Sequence, residues 1–341
     1  MPFPIKEKLM KMILFRQFAT GLIVGLRDKG RYGTAHVYGS VLRSVTEYAD
    51  ESFCFQQMTP TFLKEYEQYL IHTKGLKWNT SSTYLRCLQA IYNKALESGV
   101  ADFIPCLFKE VFTGVMRNHR RALPSSDMRS LLMNPDNPTE DEESHPQKEK
   151  IPTLVKKASA CLELMLRLRG LSFIDLAFLK KNDYSEGYLT LRRQKTGTAL
   201  RIRVSQDASR LIHLYCNHDP DSPYLLDILN GKLEGYAAYC DYQSKLRNLN
   251  VALKRLAAYS HVQKTVSSYC ARHPWATQAK YCGIPIPIIS EGLGHTSITT
   301  TEAYLKSFDN YILDSANERV IDYIFSGNKQ SKHAVSQQSK C

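Results

Sequence analysis

Residues 292–304 read GLGHTSITTTEAY. A helix that runs into Gly-Leu-Gly stops there, because glycine adopts the left-handed backbone that closes a helix C-terminus. His295 follows directly, a threonine-rich run begins the next helix, and Tyr304 stands nine positions after the histidine. Alone, the stretch is a turn, a polar helix start and an aromatic residue. Its meaning depends on what the rest of the chain supplies.

The chain of 341 residues carries 45 Lys and Arg against 33 Asp and Glu, a formal charge of +12. Such a surplus suits a polyanionic partner. The segment NPDNPTEDEESHPQKEK, 134–150, holds six of the acids beside two lysines, so the remainder is more basic still. Nine cysteines are scattered without a CxxC pair, which argues against a zinc site. Their odd number and the lack of a secretory leader fit reduced thiols in a cytoplasm. The longest N-terminal apolar run, FATGLIVGL at 18–26, falls far short of the ~20 residues that cross a bilayer. No membrane partner is expected.

The first hundred residues have helical texture. In TPTFLKEYEQYLIHT, Thr59 is placed to cap a helix with Pro60 at its first position. Leu85, Leu88, Ile91, Tyr92, Ala95 and Leu96 form one stripe that ends at Gly99, and 33–49 has similar spacing. About four helices are expected. The texture changes at MRNHRRALPSSDM, 116–128, read as a basic linker, and the acidic 134–150 stretch is expected to be a solvated loop. VKKASACLELMLRLRG, 155–170, is a helix stopped by Gly170, and Ser172 with Asp175 makes a capping box for the next. GYLTLRRQKTGTALRIRV, 187–204, alternates through Leu189, Leu191, Leu200, Ile202 and Val204 about Gly197, the pattern of a β-hairpin. The chain then returns to helical periodicity. The fold class expected is mainly α, with a small β-hairpin in the second of two domains.

Four further positions now matter: Arg169 before Gly170, Lys195 at the hairpin turn, and Tyr269 and Arg272 in SSYCARHPWAT. The i, i+3 spacing of the last two puts them on one helix face. Read singly, Arg169 complements a helix C-terminus, Lys195 is a solvated turn lysine, Arg272 an ion-pair arginine, His295 a capping residue, and Tyr304 one of 20 tyrosines. Together they support metal-free phosphoryl transfer on a nucleic acid backbone. Two arginine forks and a histidine suit the charge that spreads over a phosphodiester under attack. A tyrosine hydroxyl, only about 0.1% ionised at pH 7, needs activation in place. A lysine on the hairpin tip can protonate the departing oxygen. A phosphotyrosine link conserves the bond energy, so no nucleotide cofactor is required; no G-x-x-x-x-G-K-[ST] run occurs in the chain.

RLRGLSFIDL around Arg169, RRQKTG around Lys195, ARHPWAT around Arg272 and LGHTSITTTEAY up to Tyr304 together resemble the tyrosine recombinases, the phage-type integrases, over about residues 10–325. The resemblance implies a helical SAM-like core-binding domain at 10–115, a linker at 116–124, an α+β catalytic domain at 125–325 and a disordered tail at 326–341, closing on DNA as a C-shaped clamp. It implies Arg169 and Arg272 as the phosphate clamp, Lys195 as general acid, His295 as a donor to the phosphate and Tyr304 as the nucleophile that forms a 3′-phosphotyrosyl bond. It further implies a homotetramer on two synapsed, inverted-repeat DNA sites, with the helix at 310–325 docking on a neighbouring protomer, and no cofactor. Candidate phosphate contacts are Arg117, Arg120 and Arg121 in the linker and Arg192 and Arg193 beside Lys195.

Tyr269 departs from the pattern, for the family usually has histidine there. A tyrosine hydroxyl still donates to a phosphate oxygen but is a poorer base near neutrality. Chains with tyrosine here resemble the integrases of bacterial mobile elements, where such a recombinase integrates, excises or inverts DNA, at times with an accessory DNA-bending factor. Two other readings stand beside this one. A catalytically silent DNA-binding relative needs the basic residues but not the spaced tyrosine, and a type IB topoisomerase relaxes one strand without exchange between sites.

Overall fold

The computed structural model describes residues 13–116, 123–132, 152–302, 305 and 310–326. Arg117, Arg120, Arg121, the acidic stretch 134–150, Tyr304 and the tail beyond Ser326 lie outside the described residues. The rest groups into two compact units, one formed before position 120 together with Lys232–Gln243, the other by 121–231 and everything from 244 on.

The first unit is built on α1 (Phe15–Asp28), α2 (Tyr32–Ala49), α3 (Pro60–Gln68) and α4 (Trp78–Glu97). The apolar run at 18–26 is the middle of α1, which buries Phe15, Ala19 and Ile23 at i, i+4 and i+8. Thr59 caps α3 by accepting from the Phe62 amide at 3.1 Å, with Pro60 at the first helical position. The α4 stripe buries Leu85, Leu88, Ile91, Tyr92 and Ala95 against the same core. Two polar groups inside are paired: the Tyr66 hydroxyl donates to Ser44 Oγ at 2.8 Å, and buried Glu67 accepts from the Phe112 amide at 2.7 Å.

The second unit contains α5 (Ser125–Leu132), α6 (Thr153–Arg167), α7 (Phe173–Ala177), β1 (Tyr184–Ser185), β2 (Tyr188–Arg192), β3 (Ala199–Arg203) and α8 (Gln206–Leu214). It continues with α9 (Gly235–Tyr259), whose first turns group with the other unit, then α10 (Arg272–Tyr281), α11 (Ile286–Leu293), α12 (Ile298–Glu302) and α13 (Asn310–Ser326). The strands form an antiparallel sheet ordered β1-β2-β3. The alternating leucines and isoleucine face inward as expected, Leu189 opposite Ile202 and Leu191 opposite Leu200, all buried. Val204 falls just outside β3, and the two-residue β1 makes the hairpin a three-stranded sheet. Trp275 of α10 and Leu305 pack on Ala276, Ala279, Ile289 and Leu293, which join α10 to α11. Among the described residues, no helix is long and apolar enough to cross a membrane.

The chain's two tryptophans, Trp78 and Trp275, fall in different units. In a Trp275→Phe background, Trp78 fluorescence therefore follows unfolding of the first unit. Leu88→Ala empties a fully buried position and is expected to lower the stability so measured by about 2–5 kcal/mol.

Candidate active site

Helix α6 ends at Arg167, two residues before the expected functional arginine. Arg169 and Gly170 then both take left-handed backbone, at φ 60° and 65°. For a non-glycine residue this costs roughly 1–2 kcal/mol. Gly170 is required twice over: a Cβ there would meet the Arg272 Cα at 3.1 Å and the Trp275 Cβ at 3.3 Å, and its backbone is left-handed. Its carbonyl accepts from Arg272 Nη1 at 2.9 Å.

Arg272 opens α10 and is only 4% exposed. Its Nη2 donates to the Leu293 carbonyl at 2.6 Å and lies 3.0 Å from His295 Nε2. The Gly-Leu-Gly-His stretch is thus a helix end held from outside. Leu293 is the last residue of α11, Gly294 is its left-handed cap, and the His295 amide returns to the Ser290 carbonyl at 3.0 Å. A Cβ on Gly294 would strike Arg193 Cδ at 2.7 Å.

Arg193, expected at a DNA-facing surface, is instead buried. Its Nε pairs with Asp175 at 3.2 Å and its Nη1 donates to the carbonyls of Leu293 and Gly294 at 3.0 and 3.2 Å. This guanidinium is committed to holding the site together and does not face solvent. Asp175, read from sequence as half of a capping box, faces the same junction: Ser172 is the N-cap of α7, but Asp175 accepts from the Ser172 hydroxyl, from Arg193 and from the Gln194 amide at 2.7 Å. Gln194 begins the hairpin turn, which the Arg193 amide closes onto Thr198 at 2.9 Å. Lys195 is exposed in that turn, and Arg192 is exposed beside it.

Arg169, Thr198, Arg201, Glu291 and His295 line one open cavity of about 420 Å³. The stem of Arg169 passes close to Gly292, where an added Cβ would lie 3.9 Å from its Cδ. Burial, then Arg272, Arg193 and Lys195 in that order, push the His295 pKa down to about 4. Arg272 can only donate, so in this state Nε2 of His295 accepts. Tyr269 and Arg272 do not share a helix: Tyr269 sits in the 3-10 turn Ser268–Cys270, 44% exposed, before α10 begins. His273 Nδ1 is 3.4 Å from Thr277 Oγ1, one turn along its own helix. Sequence reasoning missed Asp175, Thr301 and the inward turn of Arg193; the nearest local hint was the run of five polar or charged residues after Leu191 in a strand that otherwise alternates.

Removing one partner of the buried pair leaves an uncompensated charge. Asp175→Ala is expected to destabilise the second unit by about 3–5 kcal/mol, and Asp175→Ala with Arg193→Met to cost less than the sum of the single variants in denaturant titrations followed through Trp275. His295 supplies a pH dependence. Its folded pKa near 4 lies below the ordinary 6.5, so between those values the unfolded chain binds more protons. The stability from the neutral ring is whole above about pH 6.5 and declines as pH falls toward 4. The stability difference between the wild type and His295→Gln should narrow over that window.

Residues 14–110 match the family model for the phage integrase SAM-like domain, and residues 146–310 match that of the phage integrase family. Tyrosine recombinase XerA of Pyrococcus furiosus is 32% identical over 148 residues, 42% of this chain and 48% of the relative, so the match spans about half the length of that protein. Two solved structures share the fold. The Tn1549 transposon integrase in complex with transposon right end DNA aligns at TM-score 0.59 and 15% identity, over 91% of this chain and all of that one. A lambda integrase dimer bound to a COC′ core site aligns at TM-score 0.58 and 15% identity, over 86% of this chain and 77% of that one. With both halves of the chain matched by successive integrase domains, and the sequence motifs falling within the second, this chain belongs to the tyrosine recombinase family.

Proposed function

We propose that the protein is a site-specific DNA recombinase that cleaves and rejoins DNA through a 3′-phosphotyrosyl intermediate. The observation that carries this reading is the contact of Arg272 with His295 beside a cleft that Arg169 and His295 line, with Lys195 near enough for its charge to act on the histidine. In this reading residues 10–115 bind DNA, 116–124 link, and 125–325 carry the chemistry. Arg169 and Arg272 hold the non-bridging oxygens of the scissile phosphate, where charge develops in the transition state. The Tyr304 hydroxyl attacks phosphorus, and Lys195 protonates the 5′-oxygen that leaves. Tyr269, 44% exposed, is a further donor to a phosphate oxygen in this set. Arg117, Arg120, Arg121 and Arg192 are the surface contacts to the DNA backbone.

The partner is double-stranded DNA with inverted-repeat sites, and the working assembly is a homotetramer on two synapsed sites in the cytoplasm of a bacterium, with an accessory DNA-bending factor where the site requires one. The lambda integrase and Tn1549 integrase structures, solved on DNA, support the partner class. Exposed Val320, Ile321, Tyr323, Ile324 and Phe325 support docking of α13 on a neighbouring protomer, since contiguous apolar side chains on a helix favour burial against a partner. Integration, excision or inversion of DNA is the outcome of such an exchange.

The test is covalent capture. Protein incubated with sheared genomic DNA of its source and stopped with detergent should retain a few inverted-repeat loci, and Tyr304→Phe should retain none. On the DNA so identified, Lys195→Ala should slow cleavage by roughly 10²–10⁴-fold. A 5′-bridging sulfur in place of oxygen should restore most of that loss, because a thiolate leaves without a proton. Adducts formed equally by Tyr304→Phe would remove this mechanism.

A further inference from the structure

The cavity that Arg169 and His295 line is bounded on another side by four consecutive residues of the hairpin, Thr198, Ala199, Leu200 and Arg201. Side chains of a strand alternate between its two faces, so a run of neighbours meets one space only along the strand's edge. β3 is the last strand of its sheet. Its pairing fixes where its amides point. The Arg193 amide donates to the Thr198 carbonyl at 2.9 Å and the Val204 amide to the Gly187 carbonyl at 2.8 Å. With the register Leu191 opposite Leu200 and Leu189 opposite Ile202, the ladder to β2 therefore runs through Thr198, Leu200, Ile202 and Val204. The N–H groups of Ala199 and Arg201 point the other way, outward from the edge of the sheet.

Arg201 is exposed, on the face opposite buried Leu200 and Ile202. Its guanidinium carbon lies 4.3 Å from the centroid of the Tyr188 ring. An aromatic face orients a guanidinium and leaves its charge in place. Arg193 differs, since Asp175 offsets its charge. The cavity lining thus carries two guanidinium groups, Arg169 and Arg201, against one carboxylate, Glu291. His295 adds no charge near neutrality, with its pKa pushed down to about 4, and its Nε2 and Nδ1 lie 3.0 Å from Arg272 Nη2 and 2.8 Å from Thr301 Oγ1. A volume of about 420 Å³ falls in the ~300–1,000 Å³ range of cavities that take whole small molecules, more than a single phosphate group fills.

We propose that the outer edge of β3 is a second phosphate subsite, in which Arg201 and the outward amides of Ala199 and Arg201 hold the DNA phosphate next to the scissile one. The inference rests on the reading of the site given above, in which Arg169 takes the scissile phosphate in the same cavity. Arginine side chains and backbone N–H groups are common donors to phosphate oxygens, and such contacts set the register of a protein on DNA without reading its sequence. Two neighbouring phosphates held together fix the direction of the strand as well as its position, which one phosphate cannot do. Tyr188 is a positioning residue that restricts the Arg201 side chain before DNA arrives.

The experiment uses duplexes that carry a site recovered by covalent capture, each with one neutral methylphosphonate in place of a phosphate flanking the cleavage point. Binding is measured with non-cleaving Tyr304→Phe protein at several salt concentrations. Arg201→Gln should weaken binding to the unmodified duplex roughly 10–100-fold and lower the salt slope by about 1. On the duplex whose neighbouring phosphate is neutral, Arg201→Gln should cost nothing further, whereas on the other duplexes it should cost as much as before. Arg201→Lys should recover part of the loss. Tyr188→Leu should weaken binding less and leave the salt slope unchanged, because the charge remains. Thermal unfolding should be the same for every variant, since Arg201 and Tyr188 lie outside the core. No loss in Arg201→Gln, as expected of an edge arginine that only keeps other strands from pairing, or an equal loss on every duplex, would overturn the subsite. A wild type that captures no site removes the recombinase reading and the subsite together. Adducts that survive Tyr304→Phe remove the tyrosine mechanism alone.

Discussion

The Leu293 carbonyl oxygen accepts from two guanidinium groups, Arg193 at 3.0 Å and Arg272 at 2.6 Å. A helix C-terminus leaves carbonyls unpaired and carries partial negative charge, so cations are favoured there. Here the two arginines reach that end of α11 from different elements, one just past β2 and the other at the start of α10. Each is held in turn, Arg193 by Asp175 and Arg272 by the Gly170 carbonyl. This junction gives the loop after α6, the hairpin turn, α10 and the segment that begins at His295 a common reference. Without it, the side chains that meet at the cleft would come from pieces more than a hundred residues apart in sequence with no shared anchor.

The two arginines do different work because their partners differ. Arg193 faces a buried carboxylate, which offsets its charge, and a buried pair of this kind specifies geometry more than it adds net stability. The carbonyls of Gly170 and Leu293 and the imidazole of His295 are neutral, so these contacts aim the charge of Arg272 without cancelling it. The lowered pKa of His295 follows the same order, with Arg272 ahead of Arg193 and Lys195 after burial. A lysine could not replace either arginine, since one ammonium cannot present separated donors in a plane to two acceptors on different segments.

Much of this was legible in the sequence where the signal was local. The Thr59–Pro60 helix start, the α4 stripe and the inward leucines of the hairpin each follow from neighbours within one or two turns of chain. The failures share a physical reason. Arg193 was read as a surface residue because a charged residue beside a turn is usually solvated, and the carboxylate that buries it lies 18 positions earlier. Asp175 was assigned to its own helix for the same reason: Ser-x-x-Asp is a local pattern, and the stronger claim on that carboxylate is long-range. Tyr269 and Arg272 were given a common helix face by spacing, but α10 begins only at Arg272. Thr301 stood among three consecutive threonines, identical in sequence context until the fold turned one of them under the histidine.

Glycine placement completes the argument, because the arginine junction can form only where backbone comes close enough. At Gly170 the missing side chain lets the loop approach the backbone of Arg272, and at Gly294 it leaves the volume that Arg193 fills. Arg169 is the exception that shows what this arrangement demands. It holds a left-handed backbone that glycine would adopt without strain, yet the position carries the side chain that lines the cavity beside His295. Glycine there would relieve roughly 1–2 kcal/mol of backbone strain and remove the guanidinium. The fold spends conformational comfort at one residue to direct a charge into the cleft, with glycines immediately after it and opposite it providing the room.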